Sequence, residues 1–375
     1  MNIKYLIGIF ILVVVQTAIG QTGRYTEEEV TLQELFIAAN GQKIQGDYKK
    51  AIELFEQFLE KERNNAAGNY EIARLYDLEK QNADALKYAK RAVENEASNI
   101  WYQMLLADLY LKNNMDDKSA EVYASLVIQY PNEEDFYYKW AYYLVRANQP
   151  EKAIEVYDML EERIGVNEEI ARRKNTLYLG LNDFKNAEKV LRDLTKSYPK
   201  IADYQLMLAK FYEQSGNEAA AKKVYLDILK FDPENAPAKL SLADFDKKDG
   251  ATDSYFQRLQ PVFDNPGVHI DVKITELMPL VMEVAEKNDT TLAKDVLQLA
   301  SLLEKVHPNE AKSYAIIGDL FNYSNNTTQA LKYYQKTLEY DPNVYLVWEQ
   351  MLYILAEKER YKELVVQSNK ALDLF

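Results

Sequence analysis

The sequence predicts an all-α chain, built as a solenoid of antiparallel helix pairs. Small and bulky residues recur along most of its length with a period of about 34 residues, which is typical of a repeat architecture. Gly (12) and Pro (10) are scarce in the chain, which favours long helices with short connections over many β-turns. The length exceeds one compact core of ordinary size, so it indicates either a repeat array or two to three globular domains.

Three stretches show the recurrence directly. Each contains a turn, then a small alanine, then a bulky apolar residue four positions later. The alanines are Ala51, Ala153 and Ala187, so the first spacing is three periods and the second is one period. A register with this period divides 32–235 into six repeats.

Several positions of each repeat, counted from its first residue, have a preferred residue type. Small residues at positions 8 and 20 let two helices approach closely, while bulky residues at positions 11 and 24 fill the space beside that contact. Pro at position 32 ends the second helix and sets the start of the next repeat. Representative residues are Ala73, Ala107 and Ala209 at position 8, Tyr76 and Tyr110 at position 11, Ala85 and Ala221 at position 20, Phe55, Tyr123 and Tyr225 at position 24, and Pro131, Pro199 and Pro233 at position 32.

This pattern resembles the tetratricopeptide repeat. The resemblance implies a right-handed superhelical solenoid of about nine to ten repeats, each made of a first helix A and a second helix B. A lone helix pair cannot bury its apolar face, so neighbouring repeats must stack.

The repeat pattern weakens over 236–310. Asp246 replaces the Tyr expected at position 11, and Pro261 falls inside the expected helix B, where it should kink the helix. Asn265-Pro-Gly267 then interrupts the chain, and a longer helix pair is expected up to Pro308. This segment is interpreted as degenerate helical repeats that bend the solenoid, or else as an insertion that binds something.

The pattern returns over 311–375 with two C-terminal repeats, of which the last is incomplete. Gly318, Ala330, Tyr334 and Pro342 occupy the expected positions 8, 20, 24 and 32. No polar capping helix follows. Either the final residues pack on a partner, or the chain is the front part of a longer protein.

The first twenty residues are typical of a signal peptide. Lys4 precedes an apolar run from Tyr5 to Val15, and the small residues Ala18 and Gly20 suit a signal-peptidase site. The run of about eleven residues is short of the roughly twenty needed to span a bilayer, so an uncleaved anchor is the weaker alternative. We expect cleavage near Gly20-Gln21, a linker over 21–31, and a periplasmic or secreted protein.

The composition narrows the classes of function. Hydrophobic residues (47%) are abundant enough for a folded core, and the formal net charge of −14 disfavours binding to nucleic acid or to anionic lipid. The negative charge either keeps a long solenoid soluble or indicates a preference for basic partners.

No pattern of residues predicts a catalytic, cofactor or metal site. Cys is absent, and the two histidines, His269 and His307, lie far apart in the sequence. Gly-rich phosphate loops and nucleophile elbows are missing, and the many acidic pairs are typical of solvated helix faces. We therefore expect that the protein is not an enzyme and needs no cofactor.

The resemblance also implies where a partner binds. In this family the A helices line a concave groove, and positions 2, 5, 9 and 12 commonly face it. An aromatic run with interspersed arginines at or near these positions is suited to an interface. The alternatives are packing between repeats and an unused surface. The candidate residues are Phe36, Asn40, Tyr70, Arg74, Trp101, Met104, Tyr138, Tyr142, Arg146 and Arg172.

These features together predict a non-catalytic scaffold for protein–protein interactions in the bacterial cell envelope. Its partner would be a protein or an extended peptide in the groove. One alternative is a glycan- or nutrient-binding subunit of an uptake system, with Trp101 stacking on a sugar. Another is the N-terminal part of a longer protein that carries a further domain.

Overall fold

The computed structural model describes residues 27–287 and 289–375, and this part of the chain contains twenty α-helices and no β-strand. The expected signal peptide and most of the expected linker lie outside the described residues. The helices are α1 (Glu27–Gln45), α2 (Tyr48–Lys61), α3 (Ala66–Leu78), α4 (Asn82–Asn95), α5 (Ile100–Lys112), α6 (Asp116–Gln129), α7 (Glu134–Arg146), α8 (Pro150–Ile164), α9 (Glu168–Gly180), α10 (Phe184–Ser197), α11 (Ala202–Gln214), α12 (Glu218–Phe231), α13 (Ala236–Lys248), α14 (Thr252–Phe263), α15 (Ile270–Lys287), α16 (Thr290–Val306), α17 (Ala311–Tyr323), α18 (Thr327–Tyr340), α19 (Tyr345–Glu357) and α20 (Tyr361–Leu372).

The chain divides into two compact halves, an N-terminal half that ends at Ala187 and a C-terminal half that begins at Glu188. In the N-terminal half each helix from α1 to α8 packs against the next one, so the series ends with α9. The helices α3, α5, α7 and α9 begin one period apart, at Ala66, Ile100, Glu134 and Glu168. The predicted helix pairs and their period are therefore confirmed.

The C-terminal half contains helices α11–α20 and keeps the helix-pair architecture with one longer pair. α15 has 18 residues and α16 has 17, whereas the neighbouring A helices α13 and α17 each have 13. At this point the packing order also changes, because α14 packs against α16 and α15 packs against α17. Pro261 lies in the last turn of α14, two residues before the helix ends at Phe263.

A left-handed residue stands at position 15 of nine repeats, in the turn between helices A and B. These residues are Gly46, Lys80, Asn114, Asn148, Asn182, Gly216, Gly250, Asn325 and Glu359, with φ between 55° and 83°. Gly250 belongs to the segment in which the sequence pattern weakens. The backbone of α13 and α14 thus keeps the turn of the repeat although the side-chain pattern is poor.

The small residues of the pattern lie at the contact between the two helices of each pair. Ala51, Ala73, Ala107 and Ala153 are fully buried, and the Oγ of Ser119, which replaces Ala at position 20, donates to the Ala107 carbonyl at 2.8 Å. The large residues at position 24 complete the cores, and Phe55, Tyr123, Tyr157, Tyr225 and Tyr334 are all buried.

Of the four tyrosines at position 11, Tyr76, Tyr110 and Tyr178 are half-buried, whereas Tyr212 is buried. Tyr76 is only half-buried, and its hydroxyl donates to the Glu56 carboxylate at 2.7 Å. Burial and this contact with a carboxylate raise the Tyr76 pKa. Tyr76 therefore bridges α2 and α3 at the edge of the core.

In the described part of the chain, no helix combines the length and the apolar character that crossing a bilayer requires.

Candidate interaction surface

All ten candidate residues lie on A helices of the N-terminal half. Phe36 and Asn40 are on α1, and the remaining eight are distributed over α3, α5, α7 and α9. The helices α1, α3 and α5 carry two candidates each, and α7 carries three. Helix α9 carries only Arg172. The structure therefore places the candidates on corresponding helices of successive repeats, where their surroundings differ.

The two candidates on α1 take part in packing. The Phe36 ring meets Phe55 and Phe58 edge-on, with centroid distances of 5.4 Å and 5.3 Å. The Asn40 side-chain amide donates to the Phe36 carbonyl at 2.9 Å, one turn earlier in the same helix. Ile37 lies beside them, 70% exposed at the mouth of a cleft of about 440 Å³. It is not at position 2, 5, 9 or 12 of its repeat, so the rule that these positions face the groove (the position rule) overlooks it.

The two candidates on α3 form a partly covered aromatic group with Tyr102 of α5. The rings of Tyr70 and Tyr102 lie 4.7 Å apart, and the Arg74 guanidinium lies 5.7 Å from the Tyr70 centroid. Met104 is half-buried and packs against the core of α5–α8. Trp101 is different, because 64% of its surface is exposed.

The candidates on α7 and α9 meet at an open cleft. Tyr142 is 47% exposed, and the Arg146 guanidinium lies 5.9 Å from its ring centroid. Arg172 approaches the same cleft from α9. We call this the α7–α9 cleft; its volume is about 280 Å³, and it is lined by Tyr142, Val145, Tyr157, Glu169, Arg172, Arg173, Thr176 and Leu177.

The position rule missed Arg173, which is as central to the α7–α9 cleft as Arg172. Its guanidinium lies 5.3 Å from the Tyr138 centroid, which joins α9 to α7. It also lies beside the Tyr157 hydroxyl, where it offsets part of the rise that burial causes in the Tyr157 pKa. A rule that scored the residue next to each groove position would have found it, since Arg172 and Arg173 are adjacent.

Acidic groups already pair with the cations of this surface. Arg146 pairs with Asp116 at 2.7 Å, and Arg172 and Arg173 pair with the glutamates one turn earlier, Glu168 and Glu169, at 2.6 Å. Each exposed pair contributes little to stability because water screens it. Their effect is to hold the guanidinium groups in place, so the cleft offers oriented aromatic and arginine side chains with balanced charge.

The described residues contain no group of three or more His, Asp or Glu side chains arranged to hold a metal ion. The cleft residues Arg172 and Arg173 are ion-paired, and Thr176 donates to the Arg172 carbonyl at 2.9 Å.

Models of the tetratricopeptide repeat match four segments of the chain. The segments are 44–109, 102–133, 176–236 and 311–344. Proteins built from such repeats are generally non-catalytic scaffolds. No curated protein sequence matches this chain.

Several solved structures are similar in fold. A chain of the Naa15/Naa10 complex bound to HypK-THB has a TM-score of 0.47 and 16% identity; the match covers 89% of this chain and 57% of that one. YrrB, a TPR protein with an unusual peptide-binding site, has a TM-score of 0.33 and 17% identity, with coverages of 49% and 95%. A tetratricopeptide repeat protein from Parabacteroides merdae ATCC 43184 has 0.36 and 13%, with coverages of 86% and 98%.

This chain thus spans 57% of the length of the Naa15/Naa10 chain that it matches. The four matched segments include helices of both halves, and α3–α4, α11–α12 and α17–α18 fall within them. The protein therefore carries tetratricopeptide repeats, folded as successive antiparallel helix pairs.

Proposed function

We propose that this protein is a non-catalytic scaffold whose N-terminal half binds an extended segment of a partner protein. The observation that carries the proposal is the α7–α9 cleft. It presents the half-exposed Tyr142 beside the guanidinium groups of Arg172 and Arg173, each of which is already held by a carboxylate.

The energetics of interfaces support this role. Tyr, Trp and Arg side chains dominate binding energy because they bury large areas while keeping a polar contact. Trp101 and Tyr142 keep much of their surface accessible, although burial would be favourable for both. The ion pairs with Glu168 and Glu169 place the two guanidinium groups at the cleft before a partner binds.

The cell-envelope location is part of the proposal and depends on residues 1–20. It is tested by determining the N-terminus of the protein recovered from fractions of its native host. A mature chain that begins at Gln21, found outside the cytoplasm, supports export. A chain that retains Lys4 in the cytoplasmic fraction contradicts it.

The binding role is tested by crosslinking a tagged chain in its native host and identifying the captured proteins by mass spectrometry. The test variant is Tyr142→Ala with Arg172→Ala, which removes both sides of the cleft. The matched control is Ile128→Ala with Arg163→Ala, which removes one exposed apolar and one exposed arginine side chain from the B helices α6 and α8.

The expected result is one set of partners that the control retains and the test variant loses, while both fold as the parent does. Partners that persist with the test variant would place the binding surface elsewhere.

A negative net charge also predicts that capture of a basic partner weakens as salt is raised.

A second candidate function, glycan binding, is favoured by the exposed indole of Trp101. A flat exposed ring on an A helix is suited to stacking against a sugar. If neither variant changes protein capture, binding of oligosaccharides to the parent and to Trp101→Ala is measured by calorimetry. Binding that only the Trp101→Ala variant loses would replace the scaffold proposal.

A further inference from the structure

A fully buried lysine joins three segments of the C-terminal half. Lys273 is in the first turn of α15 and has no exposed surface. Its ammonium donates to the carbonyl of Phe263, the last residue of α14, at 3.0 Å and to the carbonyl of Asn265 at 2.7 Å. The third neighbour is Nε2 of His307, the residue that caps the C-terminal end of α16, at 2.9 Å.

The chemistry of the third contact determines the state of His307. A lysine ammonium has three donors and no acceptor. The Nε2 atom of His307 must therefore accept, which requires a neutral imidazole with its proton on Nδ1. The backbone of Val268 provides a hydrogen-bonding partner for the imidazole, so the loop after α14 holds the ring as well.

The surroundings oppose a second positive charge. Burial lowers the Lys273 pKa to about 8, with Asp264 acting in the opposite direction. Burial and the neighbouring Lys273 lower the pKa of His307, an effect that Glu310 partly offsets and His269 adds to.

Two other carboxylates near this contact, those of Asp264 and Asp271, are already paired with lysines. Asp264 pairs with Lys305 of α16 at 2.6 Å, and Asp271 of α15 pairs with Lys312 of α17 at 2.5 Å. Among the described residues, no carboxylate lies within ion-pair distance of the Lys273 ammonium. Glu310, three residues after His307, is the carboxylate that acts on the imidazole, and it offsets only part of the effect of burial and Lys273.

We propose that Lys273 and His307 form a pH-sensitive latch, which holds the ends of α14 and α16 to α15 and opens when His307 gains a proton. Protonation removes the acceptor and leaves two cations 2.9 Å apart, of which the lysine has no exposed surface and the histidine is half-buried. Charges at this distance repel strongly in an environment of low polarity.

The direction of the pH effect follows from the shift. Because His307 has a lower pKa in the closed structure than its usual value near 6.5, the open state binds more protons as the pH falls below about 6.5. The contribution of His307 to the closed state is therefore fully present above that pH and is lost below it. Between the pKa values that His307 has in the closed and in the open state, the equilibrium constant for opening rises about tenfold for each unit by which the pH falls.

Amide hydrogen exchange, corrected for intrinsic rates, measures the opening at about pH 7.5 and about pH 5. The expected result for the parent protein is faster exchange at acid pH over 264–272 and over the last turn of α16, with α19 unchanged. The test variant is His307→Gln, whose side-chain oxygen accepts from Lys273 and whose amide takes no proton. The matched control is His269→Gln, because His269 is close in space, and its side chain is 74% exposed.

His307→Gln should lose the acid-induced exchange, and His269→Gln should retain it. Equal acid-induced exchange in the parent and in His307→Gln would overturn the proposal. A second measurement needs no variant. The chain has only two histidines, so an NMR titration of their side chains separates both, and a pKa of His307 at or above its usual value near 6.5 would also overturn the proposal.

Discussion

Gly318 of α17 lies directly against the ring of Tyr334 in α18. A Cβ atom added to Gly318 would lie 2.6 Å from Cδ1 and 2.7 Å from Cε1 of that ring, closer than real Cβ atoms approach. Tyr334 is fully buried, so its ring has little room to move. In this repeat the place of the Tyr334 ring therefore leaves no room for a side chain at position 8, whereas the repeats with Ala107 and Tyr123 or Ala209 and Tyr225 accommodate a methyl group there.

Gly318→Ala should lower the free energy of unfolding by about 1–3 kcal/mol, because the methyl group overpacks this contact. Urea denaturation followed by circular dichroism measures the change. Gly41→Ala is the control, since a Cβ at this position of α1 meets nothing within 4 Å and should add up to about 1 kcal/mol of stability. Equal effects of the two substitutions would contradict the packing argument.

Asp319, the next residue, predicts a pH dependence. Burial raises its pKa, while the Tyr334 hydroxyl, which donates to Asp319 Oδ1 at 2.7 Å, acts in the opposite direction. A carboxyl group whose pKa is raised by folding binds more protons in the folded state than in the unfolded state. Its contribution to the free energy of unfolding therefore falls as the pH rises above about 4. Asp319→Asn should remove the decrease in stability that Asp319 causes as the pH rises.

Thermal unfolding of the parent and of Asp319→Asn between about pH 4 and pH 7 measures the difference. Tyr334→Phe should have the reverse effect, because it removes the donor that offsets the rise in the pKa of Asp319. An unchanged pH profile in both variants would show that Asp319 is better hydrated than its position indicates.

Lys174 is a buried cation of the N-terminal half, and it binds two carboxylates. Its ammonium pairs with Asp158 at 2.5 Å and with Glu161 at 2.7 Å, which joins α9 to α8. These partners outweigh burial and raise the Lys174 pKa, so the contribution is present below about pH 10 and is lost at higher pH. Lys174→Met should lower the free energy of unfolding by about 1–3 kcal/mol.

The control for this substitution is Lys230→Met in α12, where Lys230 pairs with Asp227 at 2.6 Å on an exposed face. That change should have an effect below about 1 kcal/mol. Both are measured by urea denaturation at neutral pH, and a Lys230→Met effect as large as that of Lys174→Met would contradict the role of burial.

Lys80 occupies the left-handed position 15 of its repeat with a φ of 59°. A side chain with a Cβ atom is strained there by about 1–2 kcal/mol, which glycine avoids. Lys80→Gly should therefore raise the free energy of unfolding by up to about 1 kcal/mol. Gly46→Ala tests the same turn in the opposite direction, and with its φ of 83° it should lower the stability. A loss of stability in Lys80→Gly would show that the lysine side chain makes a contact that outweighs the strain.

Much of the fold could be predicted because the spacing of small residues determines where two helices touch. Ala51 and Ala153 marked the helix contact of their repeats, and both are fully buried. The turn at position 15 was harder to read, because Lys80 and Glu359 have no special preference for a left-handed backbone. At position 15 the packing of the two helices determines the backbone conformation, and Lys80 and Glu359 adopt the left-handed conformation despite its strain.

The candidate surface could be predicted only at the level of helices. Position rules selected Phe36 and Tyr70 together with Tyr142, although Phe36 packs against two other rings and Tyr70 lies against Tyr102. They also omitted Arg173, which contacts Tyr138 across two helices. A position in a repeat determines the direction in which a side chain leaves its helix. The neighbouring repeat decides whether that side chain is covered.

The sequence by itself determined the all-helical class, the period of the repeat and the small residues at the helix contacts, because these depend on local spacing along the chain. Only the tertiary structure decided which aromatic side chains remain accessible, and that Lys273 meets His307 across a change in packing order. Contacts of this kind depend on how separate helices lie against each other. Residue type and spacing leave that undetermined.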